Sequence, residues 1–408
     1  MIINNIPTPF FLIDLPTLSQ EIGKLRKACD SYWPQTTIAY SVKTNSLPYL
    51  AKFLCEQRIY AEVVSQDEYD LVKLCGYTDD KIVCNGPVKS YELVSQLMES
   101  HAIINIDSHR ELDYVIKYAS NNPHCNYSIG LRVNIDVDNI FPNESKAGIQ
   151  GSRFGFCIDN NELNNAISLL RLCPNLSISG LHLHVSTRTR RVDIYRWLSS
   201  LFVWIVEQYH LDKIEYFDIG GGFYGGIPGK PQWDDYLKAI SEELSLANYN
   251  GDNLRLILEP GVSLLAGAFR YYTTVVDVKN TTRCRFVVTN GSRIQIDPFF
   301  HKTSYYYKHY STDKNRKAIL PKQILVGFTC LEYDNLMELN NYDEILIGDT
   351  FCFEKIGAYT LSLSPQFISF SPAVYAISSN GEIKCVRRKL TAQDFIRGSY
   401  IGNNLKEV

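Results

Sequence analysis

The chain has 408 residues, 45% hydrophobic and 21% charged, with a formal net charge of −3. That length supplies two domains and a sizeable core, and the near-balance of charge excludes a general nucleic-acid binder. No apolar run approaches the roughly 18–20 residues that span a bilayer. The opening MIINNIPTPFFLID lacks a basic segment followed by an apolar one, so no membrane association and a cytoplasmic location are expected.

In chain order, TPFFLID (8–14) reads as a strand ahead of the main body. From about residue 36 to 268, short β-rich runs alternate with longer amphipathic stretches. The strand candidates are IAYSV, IYAEVV, KIVCNG, AIINID, YSIGLRVNI, ISGLHLHV, YFDIGGG and LRLILEP. Helical patterns such as SLPYLAKFLCEQ, SQDEYDLVKLCG, SYELVSQLMES and VDIYRWLSSLFVWIVEQYH lie between them. Eight strands with crossover helices predict an α/β fold, a closed (β/α)8 barrel of the TIM type. After about 270 the texture changes to YYTTVVDVKN, RCRFVVTNG, KQILVGF, EILIGDTFCF and GEIKCVRRK, a C-terminal, mostly β domain of sandwich or barrel-like form. The expected division is therefore 1–35 as an N-terminal strand and helix pairing with the β domain, 36–268 as the barrel, and 269–408 as the β domain. Eleven cysteines lie singly without a C-x-x-C pair, which argues against a disulfide framework or a zinc site. No metal is expected.

A (β/α) barrel builds its active site where strands end, and the notable polar residues gather there. Lys43 ends the first strand run, and His182 and His184 end GLHLHV, with Ser186 and Thr187 behind them. Gly220, Gly221 and Gly222 follow YFDI, while Glu259, Pro260 and Gly261 follow LRLIL. Singly, each has an ordinary structural reading: a solvated charge, a core histidine, a tight turn. Together they describe a site for pyridoxal 5'-phosphate. Consecutive glycines let backbone N–H groups close on a phosphate, and a lysine amine can form a Schiff base with an aldehyde. A carboxyl can hold a pyridine nitrogen protonated, making the ring an electron sink. Such a ring favours loss of CO2.

With these residues in place, the sequence resembles the fold-type III pyridoxal-phosphate-dependent decarboxylases, the group of diaminopimelate, ornithine/arginine and carboxynorspermidine decarboxylases. YSVKTN, EVVSQDE, NGPVKS, SRFGF, HVST, DIGGGF and EPG follow that family's order, as do GFTCLEYD and IGAYTLSLSPQF in the β domain. The resemblance implies that Lys43 carries the cofactor, His184 stacks on its ring, Thr187 approaches its phosphate and Tyr359 reaches it from the β domain. It also implies that Cys330 returns the proton after CO2 leaves, and that Cys330 comes from the partner subunit of a homodimer with shared active sites.

Three departures bear on the substrate. Diaminopimelate decarboxylases carry arginine after Glu-Pro-Gly, where this chain has Val262. Their second arginine, in Arg-Pro-x-x-Tyr, is replaced in DPFFH by Asp297, with His301 at the tyrosine. The residue after the catalytic cysteine is Leu331, with Glu332 one place later. Asp297, His301, Glu332 and Tyr359 are therefore the expected substrate residues. The expected substrate is a small amino acid or conjugate other than diaminopimelate, in a specialised biosynthetic pathway. Arg188, Arg190 and Arg191 in STRTRR leave open a solvated basic loop or a phosphate- or nucleotide-bearing aminocarboxypropyl substrate, as in microcin C-like pathways. An ordinary diaminopimelate or ornithine/lysine decarboxylase and a non-catalytic pyridoxal-phosphate-binding homologue are the alternatives. The latter would lack the second domain and the Cys330 segment. A racemase of the same fold type would place arginine opposite the pyridine nitrogen, and Glu259 disfavours it.

Overall fold

The computed structural model describes residues 6–313 and 318–399. Eight parallel strands close into a barrel: β2 (Thr36–Ser41), β3 (Tyr60–Val63), β4 (Ile82–Cys84), β5 (Ile103–Ile106), β6 (Tyr127–Asn134), β8 (Leu176–His182), β9 (Tyr216–Asp218) and β10 (Arg255–Leu258). The ring closes where β10 pairs with β2 and β5 with β6, and a two-residue strand β7 (Phe156–Cys157) pairs beside β6. These strands are short, buried and rich in Ile, Val and Leu, as parallel strands covered on both faces require. The crossover helices are α2 (Pro48–Glu56), α3 (Gln66–Leu74), α4 (Tyr91–Glu99), α5 (His109–Asn121), α6 (Glu162–Arg171), α7 (Val192–Gln208) and α8 (Trp233–Leu246). Local chemistry starts several of them. The Ser65, Ser90 and Ser108 hydroxyls each accept from a backbone N–H three residues on, and Pro48 opens α2. Among the described residues, no helix is long and apolar enough to cross a membrane.

The second unit is a nine-stranded sheet ordered β15–β14–β12–β11–β1–β17–β18, with β16 on β11 and β13 on β16. Its strands are β1 (Phe10–Asp14), β11 (Phe269–Asn280), β12 (Arg285–Thr289), β13 (Tyr306–Tyr310), β14 (Ile319–Val326), β15 (Asn335–Asp343), β16 (Thr350–Glu354), β17 (Ala373–Ile377) and β18 (Ile383–Arg387). β1 lies between antiparallel β11 and parallel β17, where the Phe10 ring stacks on Tyr272 with centroids 4.8 Å apart.

The division of the chain differs from the expected one. The β unit takes residues up to Gln20 and from Leu265, and the barrel unit runs Glu21–Leu264. The break falls inside helix α1 (Leu15–Tyr32), so residues 21–35 belong to the barrel and not to the β domain. The Trp33 indole there donates to the Leu254 carbonyl at 2.9 Å. At the other end Gly357 packs so closely that a Cβ would lie 2.5 Å from the Leu265 carbonyl, which ties Leu265 to the β unit. EILIGDTFCF is also not one strand. Gly348 takes φ +93 and Asp349 accepts from the backbone N–H groups of Leu346 and Thr312, making a turn before β16.

Tyr216 fills the barrel interior by lying against two glycines, and its hydroxyl donates to Asn105 Oδ1 at 2.9 Å. A Cβ at Gly180 would come within 2.0 Å of the Tyr216 ring, and one at Gly130 within 2.1 Å of its hydroxyl. Overpacking of a rigid ring in a closed barrel cannot relax cheaply. Gly180→Ala should lower the melting temperature by roughly 3–10 °C; a fall under about 1 °C in a thermal scan would show that Tyr216 has room to move.

Candidate active site

Lys43 sits in a single 3-10 turn, Val42–Thr44, directly after β2, so the strand end points its amine into the barrel mouth. Its Nζ lies 2.5 Å from Glu62 Oε2, on β3. Ser41 Oγ donates to the same oxygen at 2.6 Å, while Asn85 Nδ2, just past β4, donates to Glu62 Oε1 at 3.3 Å. Asn85 Nδ2 also donates to Glu259 Oε1, so one amide joins the lysine's partner to the carboxyl after β10. Asn105 Nδ2 in turn donates to Asn85 Oδ1 at 2.8 Å and to Asp218 Oδ2 at 3.1 Å. The loop that carries Asn85 is clamped by the fully buried pair Lys89–Glu111 at 2.8 Å, with Lys89 Nζ also donating to the Gly86 carbonyl at 2.7 Å.

Glu259 and Asp218 are both buried and share a hydrogen bond, so one of them must hold a proton. Burial raises the Glu259 pKa well above the usual carboxylate range, reinforced by Asp218 and Glu62. Burial likewise pushes Asp218 up to about 7, against hydrogen bonds from Glu259 and the Gly220 N–H. His182 Nε2 lies 3.7 Å from Glu259 Oε1, and among the described residues neither of its ring nitrogens has a hydrogen-bond partner. Donor atoms of His182, Asp218 and Glu259 lie within 4.8 Å of one another, spacing that would also suit a cation. The pairing by a shared proton explains the arrangement without one.

The glycines are required by close approach. Gly220 has φ +72 and a Cβ there would lie 2.4 Å from His184 Nδ1; a Cβ at Gly221 would lie 2.4 Å from the Glu259 carbonyl. Gly222 also takes a left-handed φ, +92. Gly221 N–H donates to His184 Nδ1 at 3.1 Å, which leaves the proton of the neutral ring on Nε2. Burial, with Arg132 and Lys43 nearby, lowers the His184 pKa to about 3, so the ring stays neutral. Pro260 accepts from the Ser41 N–H at 3.2 Å, closing the ring of strand ends, and a Cβ at Gly261 would meet Thr44 Oγ1 at 2.2 Å. Thr187 is buried, in an antiparallel bridge to Ser145.

These residues fit pyridoxal 5'-phosphate: an amine at Lys43, a flat neutral ring at His184, a protonated carboxyl at Glu259 and a side-chain-free cradle at Gly220–Gly222. Bound there, the cofactor would be held by those four elements.

The remaining expected residues lie in the β unit. Cys330 is exposed in a turn pinned by buried Asp334, which accepts from Ser292 Oγ, the Arg293 N–H and Thr329 Oγ1. Glu332 and His301 are exposed, and Tyr359 is exposed with φ +55. Asp297 requires a correction. It is buried at 4% exposure, and its carboxylate accepts from Arg293 Nε and Nη2 at 3.0 and 2.9 Å. It also accepts from the His301 and Lys302 N–H groups and the Tyr305 hydroxyl. Five donors leave no acceptor for a substrate amine. Asp297 holds its own loop.

Glu62, Asn85, Asn105 and Asp218 were not singled out in the sequence. The signal was there: polar residues at the ends of otherwise apolar strands. Arg293 and Asp297 stand four apart, the spacing of an ion pair on one helical turn.

Residues 19–266 match the family model for the pyridoxal-binding domain of pyridoxal-dependent decarboxylases. Among similar proteins, a diaminopimelate decarboxylase of Aquifex aeolicus is 27% identical over 94% of this chain and 89% of its own length. One from Haemophilus influenzae is 25% identical over 88% of this chain and 85% of its own. The crystal structure of diaminopimelate decarboxylase from M. jannaschii superposes with a TM-score of 0.86 at 21% identity, covering 98% of this chain and 94% of that one. An arginine decarboxylase of Paramecium bursaria Chlorella virus, bound to agmatine, gives 0.76 at 20% identity, covering 92% and 99%. The barrel with its β domain and lysine-centred site defines the fold-type III class of pyridoxal-phosphate enzymes. This chain belongs to the pyridoxal-dependent decarboxylases, and is a carboxy-lyase that uses pyridoxal 5'-phosphate.

The buried carboxyls set a pH dependence in the cofactor-free protein. A carboxyl whose pKa rises from 3.8 unfolded to about 7 folded binds more protons in the folded state between those values. Folding stability therefore falls as pH rises from about 4 to 7. Asp218→Asn removes that slope. Its melting temperature relative to the parent should improve steadily over this range in apo-protein scans; a parallel offset at every pH would contradict the assignment.

Proposed function

We propose that this protein removes the α-carboxylate of an amino acid or amino-acid conjugate whose distal end is not held by paired arginines. The observation that carries the reading is the continuous chain Lys43–Glu62–Asn85–Glu259, which joins an amine at one strand end to a protonated carboxyl at another. Bound cofactor supplies an electron sink for the bond pair released as CO2 departs. Glu62 orients the Lys43 amine, Glu259 holds a proton at the ring-nitrogen end and His184 offers a neutral face. Cys330, as proton donor to the α-carbon from the partner subunit of a homodimer, completes the proposed set, with Tyr359.

The substrate reading rests on Val262 and on the loss of Asp297 to its internal ion pair. Two arginine anchors absent from the pocket would each have contributed roughly 1.5–3 kcal/mol to holding a distal carboxylate. A second reading, diaminopimelate itself, is favoured by the names of the relatives and by Arg293, which cancels the negative charge of Asp297. CO2 release from meso-diaminopimelate, lysine, ornithine and aminocarboxypropyl conjugates separates the two. On the first reading, kcat/KM for meso-diaminopimelate lies roughly a hundredfold or more below the best substrate; if it ranks first, the second reading stands.

Shared sites have their own test. Lys43→Ala and Cys330→Ala, each inactive, should recover part of the activity when mixed, because some hybrid dimers hold one intact site. Absence of recovery with subunit exchange demonstrated would place each site within one chain.

A further inference from the structure

The cofactor brings a phosphate dianion, and the cradle meets it with neutral groups. The Gly220 and Gly221 N–H groups already go to Asp218 and His184, so Gly222 offers a backbone N–H and Thr187 a hydroxyl. Gly221 and Gly225 lie against the carbonyls of Glu259 and Ser263, and beyond Glu259 that neighbouring segment carries no charge. An enclosed dianion is held far better when one of its hydrogen bonds comes from a cation.

We propose that Arg190 is that cation and binds the phosphate of pyridoxal 5'-phosphate. Arg190 Nη1 donates to the carbonyl of Phe223, the residue directly after the cradle, at 3.2 Å, and its guanidinium lies 5.0 Å from the Tyr224 ring centroid. The Tyr236 hydroxyl donates to the Arg190 carbonyl at 2.7 Å and accepts from the Tyr224 N–H at 3.3 Å, which fastens the arginine loop to the cradle loop. Tyr195 locates the charge further. Its hydroxyl donates to the Gly221 carbonyl at 3.1 Å and lies 3.0 Å from where a Cβ of Gly222 would stand. Burial raises the pKa of that hydroxyl, and Arg190 opposes the rise.

Among the described residues no carboxylate pairs with Arg190, whereas its neighbour Arg191 pairs with Asp193 at 2.6 Å. The lysine at 146 is pushed to lower pKa by burial and then by Arg190 and Arg188, so cations crowd here, while the buried Glu144 carboxylate is taken by the Thr189 N–H and hydroxyl. A phosphate at the cradle supplies Arg190 with a counter-charge. Arg190 also keeps φ +52, a conformation that L side chains seldom adopt.

The inference rests on the cofactor and not on the substrate, so its test needs no turnover. Apo-protein is titrated with pyridoxal 5'-phosphate and with pyridoxal, which has the same ring and aldehyde but no phosphate. Arg190→Met should weaken the phosphorylated ligand roughly ten- to hundredfold while moving the pyridoxal Kd by less than about twofold. Arg190→Gly gives the same loss of charge with a residue at ease at φ +52, which guards against misfolding; circular dichroism checks both variants. Unchanged affinity for pyridoxal 5'-phosphate in either folded variant overturns the proposal. So does equal weakening of both ligands, which would make Arg190 a support of the cradle's shape.

Discussion

Three carboxyl groups, Glu62, Asp218 and Glu259, are buried at the mouth of one closed ring of strands, and the rest of the site follows from satisfying them. A lone buried carboxylate is far too costly to persist. Glu62 is met by Lys43, Ser41 and Asn85. Glu259 and Asp218 are met by a shared proton and by the Asn85 and Asn105 amides. Because Asn85 donates to two of the three carboxyls, the network behaves as one unit, and partial loss leaves buried charge unpaired. The Lys43 amine and the Glu259 carboxyl are set by the same hydrogen bonds.

The backbone carries the second constraint. Cβ atoms at Gly220, Gly221 and Gly261 would meet His184, the Glu259 carbonyl and Thr44 at 2.2–2.4 Å. These glycines let three strand ends approach closely enough for the carboxyl network to form. Close approach also fixes His184: the Gly221 N–H selects its tautomer, and burial keeps it neutral.

Much of this was legible in the sequence. Eight β-rich runs between amphipathic segments predict the barrel that is found, and the residues that the motifs single out, Lys43 and Glu259, are joined at its strand ends through Glu62 and Asn85. Three kinds of feature were not. Asn85 and Asn105 act through partners on other strands, and linear sequence does not show which strand ends meet. Asp297 was misread because it was compared with the residue it replaces and not with Arg293, four positions earlier, which takes up its charge. The domain edge at Glu21 was also hidden, since a continuous helix gives no composition change where it passes from one unit to the other.

The central claim is that Lys43, held by Glu62, is the amine that engages the cofactor. Borohydride reduction of the pyridoxal-phosphate-loaded protein, followed by peptide mass mapping, tests it directly. The account predicts a stable pyridoxyl label on the peptide containing Lys43 and none on Lys89, whose amine is buried against Glu111. A label on Lys89 or on any lysine other than Lys43 would contradict it.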